Sequence, residues 1–273
     1  MIRRLTVADL PACLDLTLDR GWPSEEPKWR LMFAVSEIYG IDDPSGGLSA
    51  VVGLTRYGRE LAAVGMMLVA TRLGRRGLGE RLMRYVLEQA EGATVCLYAT
   101  AMGQPLYERL GFRVVDVASR YTGNLVPARA FDPPADLRLV TASELGAIAA
   151  LDERAFGAPR TALLSELAAR PGRFAVCGEP ATGYGVLWDN GEARVIGPVV
   201  AATEAVLPGL LDGLVAGRPG PVRIDVSSRH AELARWAEAR GLSTDRQTAV
   251  MAYGGELPGE RSWLFAPANV ALG

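Results

Sequence analysis

Lysine is almost missing from this chain. Lys28 stands alone, and arginine supplies nearly all of the positive charge. Histidine is as scarce, with His230 the single imidazole. A metal site built from clustered histidines is thereby excluded, and a Ser-His-Asp arrangement would have to rest on His230 alone. The three cysteines, Cys13, Cys96 and Cys177, lie far apart and fit neither a zinc spacing nor a disulfide framework. Each sits in an apolar segment and reads as a small buried hydrophobe, so no metal is expected. Long apolar runs are missing too. AAVGMMLVA is too short to cross a bilayer, and MIRRLTVADL turns polar too early for a secretory leader. The expectation is a cytoplasmic protein with no membrane partner. The formal net charge of −2 lacks the basic excess that general nucleic-acid binding needs.

What is present is material for a sizeable core: 273 residues, 49% of them hydrophobic, enough for one large domain or two ordinary ones. The chain also contains its own pattern twice. IRRLTVADLPACLDL from Ile2 and LRLVTASELGAIAAL from Leu137 align without a gap. They share Arg3/Arg138, Thr6/Thr141, Leu10/Leu145, Ala12/Ala147 and Leu16/Leu151, with Asp9 opposite Glu144. Each reads as a short strand, a Thr N-cap, an acid in the first turn, and a helix. VPARAFDPPADL separates the copies and suits a linker, with the boundary near Asp132 to Asp136. Two domains, 1–131 and 137–273, are expected.

In the first copy, helices are expected near Ala8–Leu18 and Trp29–Val35, then three strands near Ile38–Asp42, Leu48–Arg56 and Glu60–Ala70. Gly46-Gly47 and Tyr57-Gly58 mark the hairpin turns. Leu78, Leu82, Met83, Val86 and Leu87 keep the helical period over Leu78–Gln89. A strand near Thr94–Ala99, a helix near Gln104–Leu110 and a strand near Phe112–Ser119 complete the copy. The second copy repeats this order, and its last expected strand is Thr248–Tyr253. Meander followed by strand–helix–strand predicts an α/β fold, with a mixed, mostly antiparallel twisted sheet flanked by helices in each half.

The segment RLGRRGLGERLM, Arg72 to Met83, follows a strand and opens a helix. In that position backbone N–H groups converge on an anion and the helix N-terminus adds partial positive charge. Gly74, Gly77 and Gly79 permit close approach, and Arg72, Arg75 and Arg76 add full charges. The ligand chemistry is polyphosphate, without the Lys-Ser/Thr of a P-loop or the spacing of a dinucleotide fingerprint.

Downstream lies PLYERLGF, Pro105 to Phe112. Together the two segments resemble the GNAT superfamily of acyl-CoA-dependent N-acetyltransferases. Gly74-Arg75-Arg76-Gly77-Leu78-Gly79 is similar to that family's Gln/Arg-x-x-Gly-x-Gly/Ala loop except at its first position. Leu106 to Phe112 is similar to its Leu-Tyr-Glu-Lys-Leu-Gly-Phe helix. The resemblance implies acetyl-CoA as acyl donor, with amides from Arg75 to Gly79, including Leu78, on the pyrophosphate. It implies Met67, Leu68 and Val69 beside the pantetheine, with the Leu68 amide polarising the thioester carbonyl. It implies Tyr107 donating a proton to the departing thiolate, or positioning it. Two positions depart from the pattern: Gly74 replaces Gln or Arg, for which Arg72 or Arg75 could compensate, and Thr100 stands where Asn is frequent.

The second copy reads RVIGPVVAATEAVLPGLL where the first has its loop, with Pro198 removing an amide, and Ala237 stands opposite Tyr107. This resembles tandem members of the family in which one half is catalytic and the other shapes the acceptor site. The acceptor is expected to be a small-molecule amine near DRGWPSEEPKW, with Trp22 and Trp29 as walls and Glu25 or Glu26 attracting or deprotonating it. Asp42, Asp43 and Tyr121 are further candidates, and a water-mediated base is an alternative. Arg160 is read as a helix-start arginine in solvent, or an anion ligand. Alternatives to small-amine acetylation are an acyl-CoA-binding sensor without turnover and transfer to a peptide amine.

Overall fold

A computed structural model describes residues 1–126, 133–141 and 144–273. The expected boundary at Asp132 falls outside the described residues. The first half runs β1 (Ile2–Arg4), α1 (Leu10–Asp19), α2 (Glu26–Val35), β2 (Glu37–Asp42), β3 (Leu48–Tyr57), β4 (Leu61–Val69), α3 (Leu78–Gln89), β5 (Thr94–Ala99), α4 (Gln104–Arg109) and β6 (Arg113–Asn124). The second runs β7 (Leu137–Val140), α5 (Gly146–Phe156), α6 (Thr161–Ala168), β8 (Gly172–Cys177), β9 (Gly183–Asp189), β10 (Arg194–Ala201), α7 (Leu207–Val215), β11 (Pro221–Ser227), α8 (Ala231–Ala239), β12 (Ser243–Tyr253) and β13 (Leu264–Ala266).

The repeated Arg, Thr and acid have a common task. The Asp9 carboxylate accepts from the Thr6 amide at 2.9 Å and from Arg3 at 2.7 Å. Glu144 accepts from the Thr141 amide at 3.0 Å and from Arg138 at 3.2 Å. Each trio pins a strand to the helix that follows it, satisfying an amide at the turn.

The strands form one sheet ordered β1-β2-β3-β4-β5-β12-β6-β11-β10-β9-β8-β7, with β13 attached to β10. The two halves exchange their long terminal strands. β12 pairs with β5 of the first half, and β6 pairs with β11 of the second. β6 and β12 also pair with each other, antiparallel, through the centre. Both strands are longer than the sequence pattern suggests, because they join the two halves of one sheet rather than close a smaller one.

One apolar core covers one face of the whole sheet, with Leu16, Trp29 and Met32 of α1 and α2 beside Leu151, Phe156 and Leu164 of α5 and α6. The opposite face carries two separate cores. Leu82, Met83, Val86 and Tyr107 build one under α3 and α4, and Leu210, Leu214 and Leu233 build the other under α7 and α8. All three cysteines are buried and unpaired. No helix among the described residues is long and apolar enough to cross a membrane.

Candidate active site

β4 and β5 run parallel and pair only over Leu61–Val64 with Thr94–Leu97. Beyond that point they part. The β3–β4 ladder is irregular at the same level, and Met66 adopts φ +51°, an unusual conformation for a residue with a side chain. The resulting opening passes through the sheet and forms a cleft of about 810 Å³, lined from Gly65 to Val69, from the Arg-Gly loop, and from α2, α4, β6, β11 and β12.

The ladder decides which β4 amides face the opening. Ala70 donates to Ser49 O at 2.9 Å, and Leu68 stands opposite Val51 two residues back. Hydrogen-bonded pairs alternate in an antiparallel ladder, so the Leu68 amide is directed at β3. Those of Met67 and Val69 face the open side. The expectation for Leu68 therefore moves by one residue, to Met67.

On the α3 face, the amides of Arg75 through Glu80 find no acceptor among the described residues. Gly77 caps α3 at φ +78° and Arg75 sits at φ +62°, which turns consecutive N–H groups inward. A Cβ added at Gly79 would meet Leu106, Val69 and Met67 at ordinary contact distance. Gly74 has φ −55° and open space beside it apart from Thr71 O, so its lack of a side chain is not a steric requirement. Arg75 and Leu78 line the cleft, whereas Arg76 does not. Arg72 is occupied elsewhere. It pairs with Asp43, which also accepts from Ser45 and Ser49 and titrates far below the ordinary carboxylate range. Arg72 is therefore a brace between two loops, and Asp43 is its partner rather than an acceptor ligand.

Tyr107 reaches the cleft from α4, packed edge-on against Phe112 at 5.8 Å. Its hydroxyl has no hydrogen-bond partner among the described residues, and burial pushes its pKa up to about 12. Thr100 also lines the cleft, where its hydroxyl accepts from the Gly103 amide at 3.3 Å at the start of α4.

The acceptor expectations fare unevenly. Trp22 and Glu25 line the cleft. Trp29 is fully buried in the core, donating to the Thr17 hydroxyl at 3.0 Å, and is no wall. Glu26 is a surface partner of Arg30, and Asp42 of Arg3. Tyr121 belongs to the α7–α8 core, and its neighbour Arg120 occupies the cleft instead, since successive strand residues face opposite ways. Glu25 is paired with Lys28 and accepts from Asn190 at 2.5 Å and Arg223 at 3.3 Å. Burial raises its pKa, but Lys28 and Arg223 outweigh that and hold it below the ordinary value, which unfits it as a base. Arg160 is neither in solvent nor in the cleft. It is buried against Asp152, with Nε to Oδ2 at 3.1 Å, and stacked on Phe156. The sequence reading passed over Lys28, Arg120, Arg223 and Arg246, which all line the cleft. Lys28, alone of its kind in an arginine-rich chain, was the available signal.

Family models described as acetyltransferase (GNAT) domains match residues 48–126 and 148–266. The chain belongs to the GNAT superfamily, with two such domains in tandem. It is 28% identical to the uncharacterized N-acetyltransferase YitH of Bacillus subtilis, over 93% of this chain and 91% of that one. It is 25% identical to a holothin acyltransferase of Pseudoalteromonas, covering 86% and 80%. A solved putative acetyltransferase from Pyrococcus horikoshii shares the fold at TM-score 0.84 and 19% identity, covering 100% of this chain and 95% of that chain. A tandem GNAT protein from the clavulanic acid biosynthesis pathway superposes at TM-score 0.63 and 16% identity, covering 94% and 99%.

The second GNAT domain has the corresponding opening, and the chain itself fills it. β10 and β11 pair over Arg194–Ile196 with Val222–Ile224 and then separate. β13 enters there, with Val199 opposite Ala266 and Val200 opposite Leu264. Glu204 sits in the turn before α7, and Pro208 removes an amide from that helix's first turn. After β13 the chain passes over Gly197, where a Cβ would overlap Pro267 O, and continues to Gly65, where one would lie 2.6 Å from Ala271 Cα. Asn269, Val270 and Ala271 thus line the first GNAT domain's cleft.

Proposed function

We propose that residues 1–131 are the catalytic unit and transfer an acetyl group from acetyl-CoA directly to a primary amine of a small molecule. Residues 137–273 complete the sheet and shape the acceptor end. The observation that carries this reading is the opening between β4 and β5. It joins a run of unpartnered amides on one face of the sheet to a buried polar pocket on the other, with the Tyr107 hydroxyl beside it. Those amides and Arg75 fit a pyrophosphate, and the strand edge at Met67 and Val69 fits a pantetheine arm running alongside it.

In this reading the amine attacks the thioester carbonyl, the carbon–nitrogen bond forms, and the carbon–sulfur bond breaks. The Met67 amide receives the developing oxyanion as a fixed donor in a water-poor site. With its pKa at about 12, Tyr107 stays protonated. Complete proton transfer to a thiolate of ordinary pKa, about 8.5, would be uphill by roughly three units. Tyr107 therefore stabilises the leaving thiolate through a donated hydrogen bond. The carboxylates lining the cleft among the described residues are Glu25 and Glu80, and both are held by cations. The amine proton leaves through water.

Incubation with acetyl-CoA and a panel of amines, following free thiol, tests the reading. Amine-dependent thiol release is the expected result. Saturable CoA binding with no such release would mean a binder rather than an enzyme, and release with peptides alone would move the acceptor class.

A further inference from the structure

The end of the cleft away from the Arg-Gly loop holds more positive charge than its neighbours neutralise. Lys28, Arg120, Arg223 and Arg246 meet there with two carboxylates, Glu25 and Asp225. All are on the α1–α2 face: Val222, Ile224 and Tyr121 point into the α7–α8 core, so Arg223, Asp225 and Arg120 point the other way. Arg246 is the cross-strand neighbour of Arg120.

Three of these cations are withdrawn from solvent, Arg120 being half-buried, while Arg246 is exposed at the edge of the group. Lys28 is 4% exposed and Arg223 6%. Burial and the proximity of Arg223 and Arg246 lower the pKa of Arg120. Like charges brought together in a partly dry site call for a counter-charge. Donors on three residues that line this end of the cleft are still open. The Arg246 guanidinium makes no hydrogen bond or ion pair among the described residues, and that of Arg120 is engaged only through Nε, to Asp225 at 3.3 Å. Asn269, 1% exposed, lines the same cleft with its Nδ2 unpartnered. The pyrophosphate-type amides lie across the sheet on the α3 face and do not account for this group.

We infer that the acceptor is an anionic amine, carrying an oxyanion (a carboxylate or a phosphate) that Arg120 and Arg246 clamp, with Asn269 as a further donor. The inference rests on the acetyltransferase reading for turnover but not for binding. It also assigns a reason to the strand exchange, since Arg120 comes from β6 and Arg246 from β12.

Matched probes test it: the common α-amino acids and β-alanine against their carboxamides, and phosphoethanolamine against ethanolamine. Each is tested with acetyl-CoA for thiol release and with CoA for equilibrium binding. Oxyanion-bearing members should be preferred by roughly 10- to 100-fold, the scale of charge-assisted hydrogen bonds. Arg246→Gln should abolish most of that preference and leave the KM for acetyl-CoA unchanged, while Arg246→Lys should retain part of it. Preference for carboxylates over phosphates, or the reverse, names the source. Oxyanion-selective binding lost in Arg246→Gln, without turnover, upholds this inference and removes the enzyme reading. Equal or better use and binding of the neutral partners overturns the inference, as does a preference untouched by Arg246→Gln.

Discussion

Two openings in one sheet, made by the same fold from related sequence, have opposite fates. Between β4 and β5 the edge of Met67 and Val69 is free, and a cleft follows it. Between β10 and β11 the equivalent edge is taken by β13, an antiparallel strand of the same chain. An extended pantetheine and a short strand ask for the same thing, a parted sheet with backbone groups to satisfy. The second domain has answered that demand internally. In the proposed reading the absence there of an Arg-Gly loop, and of a tyrosine at Ala237, follows from that plug.

The strongest challenge to this comparison is to loosen the plug. Phe265 is buried in the α7–α8 core and stacks on His230 at 4.0 Å. Phe265→Ala should cost about 3–5 kcal/mol of stability, measured by urea unfolding. CoA binding by calorimetry should stay at one equivalent per chain, because Glu204 and Pro208 leave a poor phosphate site behind the plug. A second equivalent would mean that β13 alone separates the two halves. The next largest effect belongs to the open side. Tyr107→Phe should lower kcat by ~10²-fold with CoA affinity little changed, and an unaffected rate would remove Tyr107 from the mechanism. Adding Ala237→Tyr to that variant should restore nothing.

Much of the first opening was legible in the sequence. Loop and tyrosine helix are both local patterns, and α3 and β5 begin and end where periodicity placed them. What escaped is non-local or turns on a single residue. Strand alternation specifies that β6 and β12 pair, not with whom, so their exchange left no mark. β13 is three residues long in WLFAPA, too short for a period. The shifts from Leu68 to Met67 and from Tyr121 to Arg120 are one-residue phase errors, and in a strand one residue reverses the face. Arg120, Arg223 and Arg246 look like ordinary surface charges until the exchanged strands bring them together.

A smaller test compares two glycines of the loop. Gly77 needs its left-handed φ, and a Cβ there meets nothing within 4 Å, so Gly77→Ala isolates the backbone term. It should weaken CoA binding by roughly tenfold, the equivalent of about 1–2 kcal/mol for an L-residue held in that region. Gly74 has an ordinary φ and room beside it, so Gly74→Gln should bind CoA at least as well as the parent. Weaker binding by Gly74→Gln would show that the loop must stay bare at that point.

The smallest effect concerns the fastening of the plug. His230 hydrogen-bonds through Nε2 to Leu264 O at 3.0 Å, at the first residue of β13. Burial lowers its pKa below the ordinary 6.5, against opposing pulls from the Leu264 carbonyl and Asp116, while Arg229 adds to the lowering. In the unfolded chain the imidazole protonates first as pH falls, so acid favours unfolding. The contribution of His230 should therefore be level above about pH 7 and decline below about 6.5, by ~1.4 kcal/mol for each unit between the two pKa values. Urea midpoints between pH 5.5 and 7.5 should show that decline in the parent and lose it in His230→Gln, whose amide can still donate to Leu264. Because His230 does not line the first cleft, acetyl transfer should be blind to this titration while the plug responds to it. A rate profile that tracked the His230 midpoint would show instead that the closed opening communicates with the open one along the segment from Leu264 to Ala271.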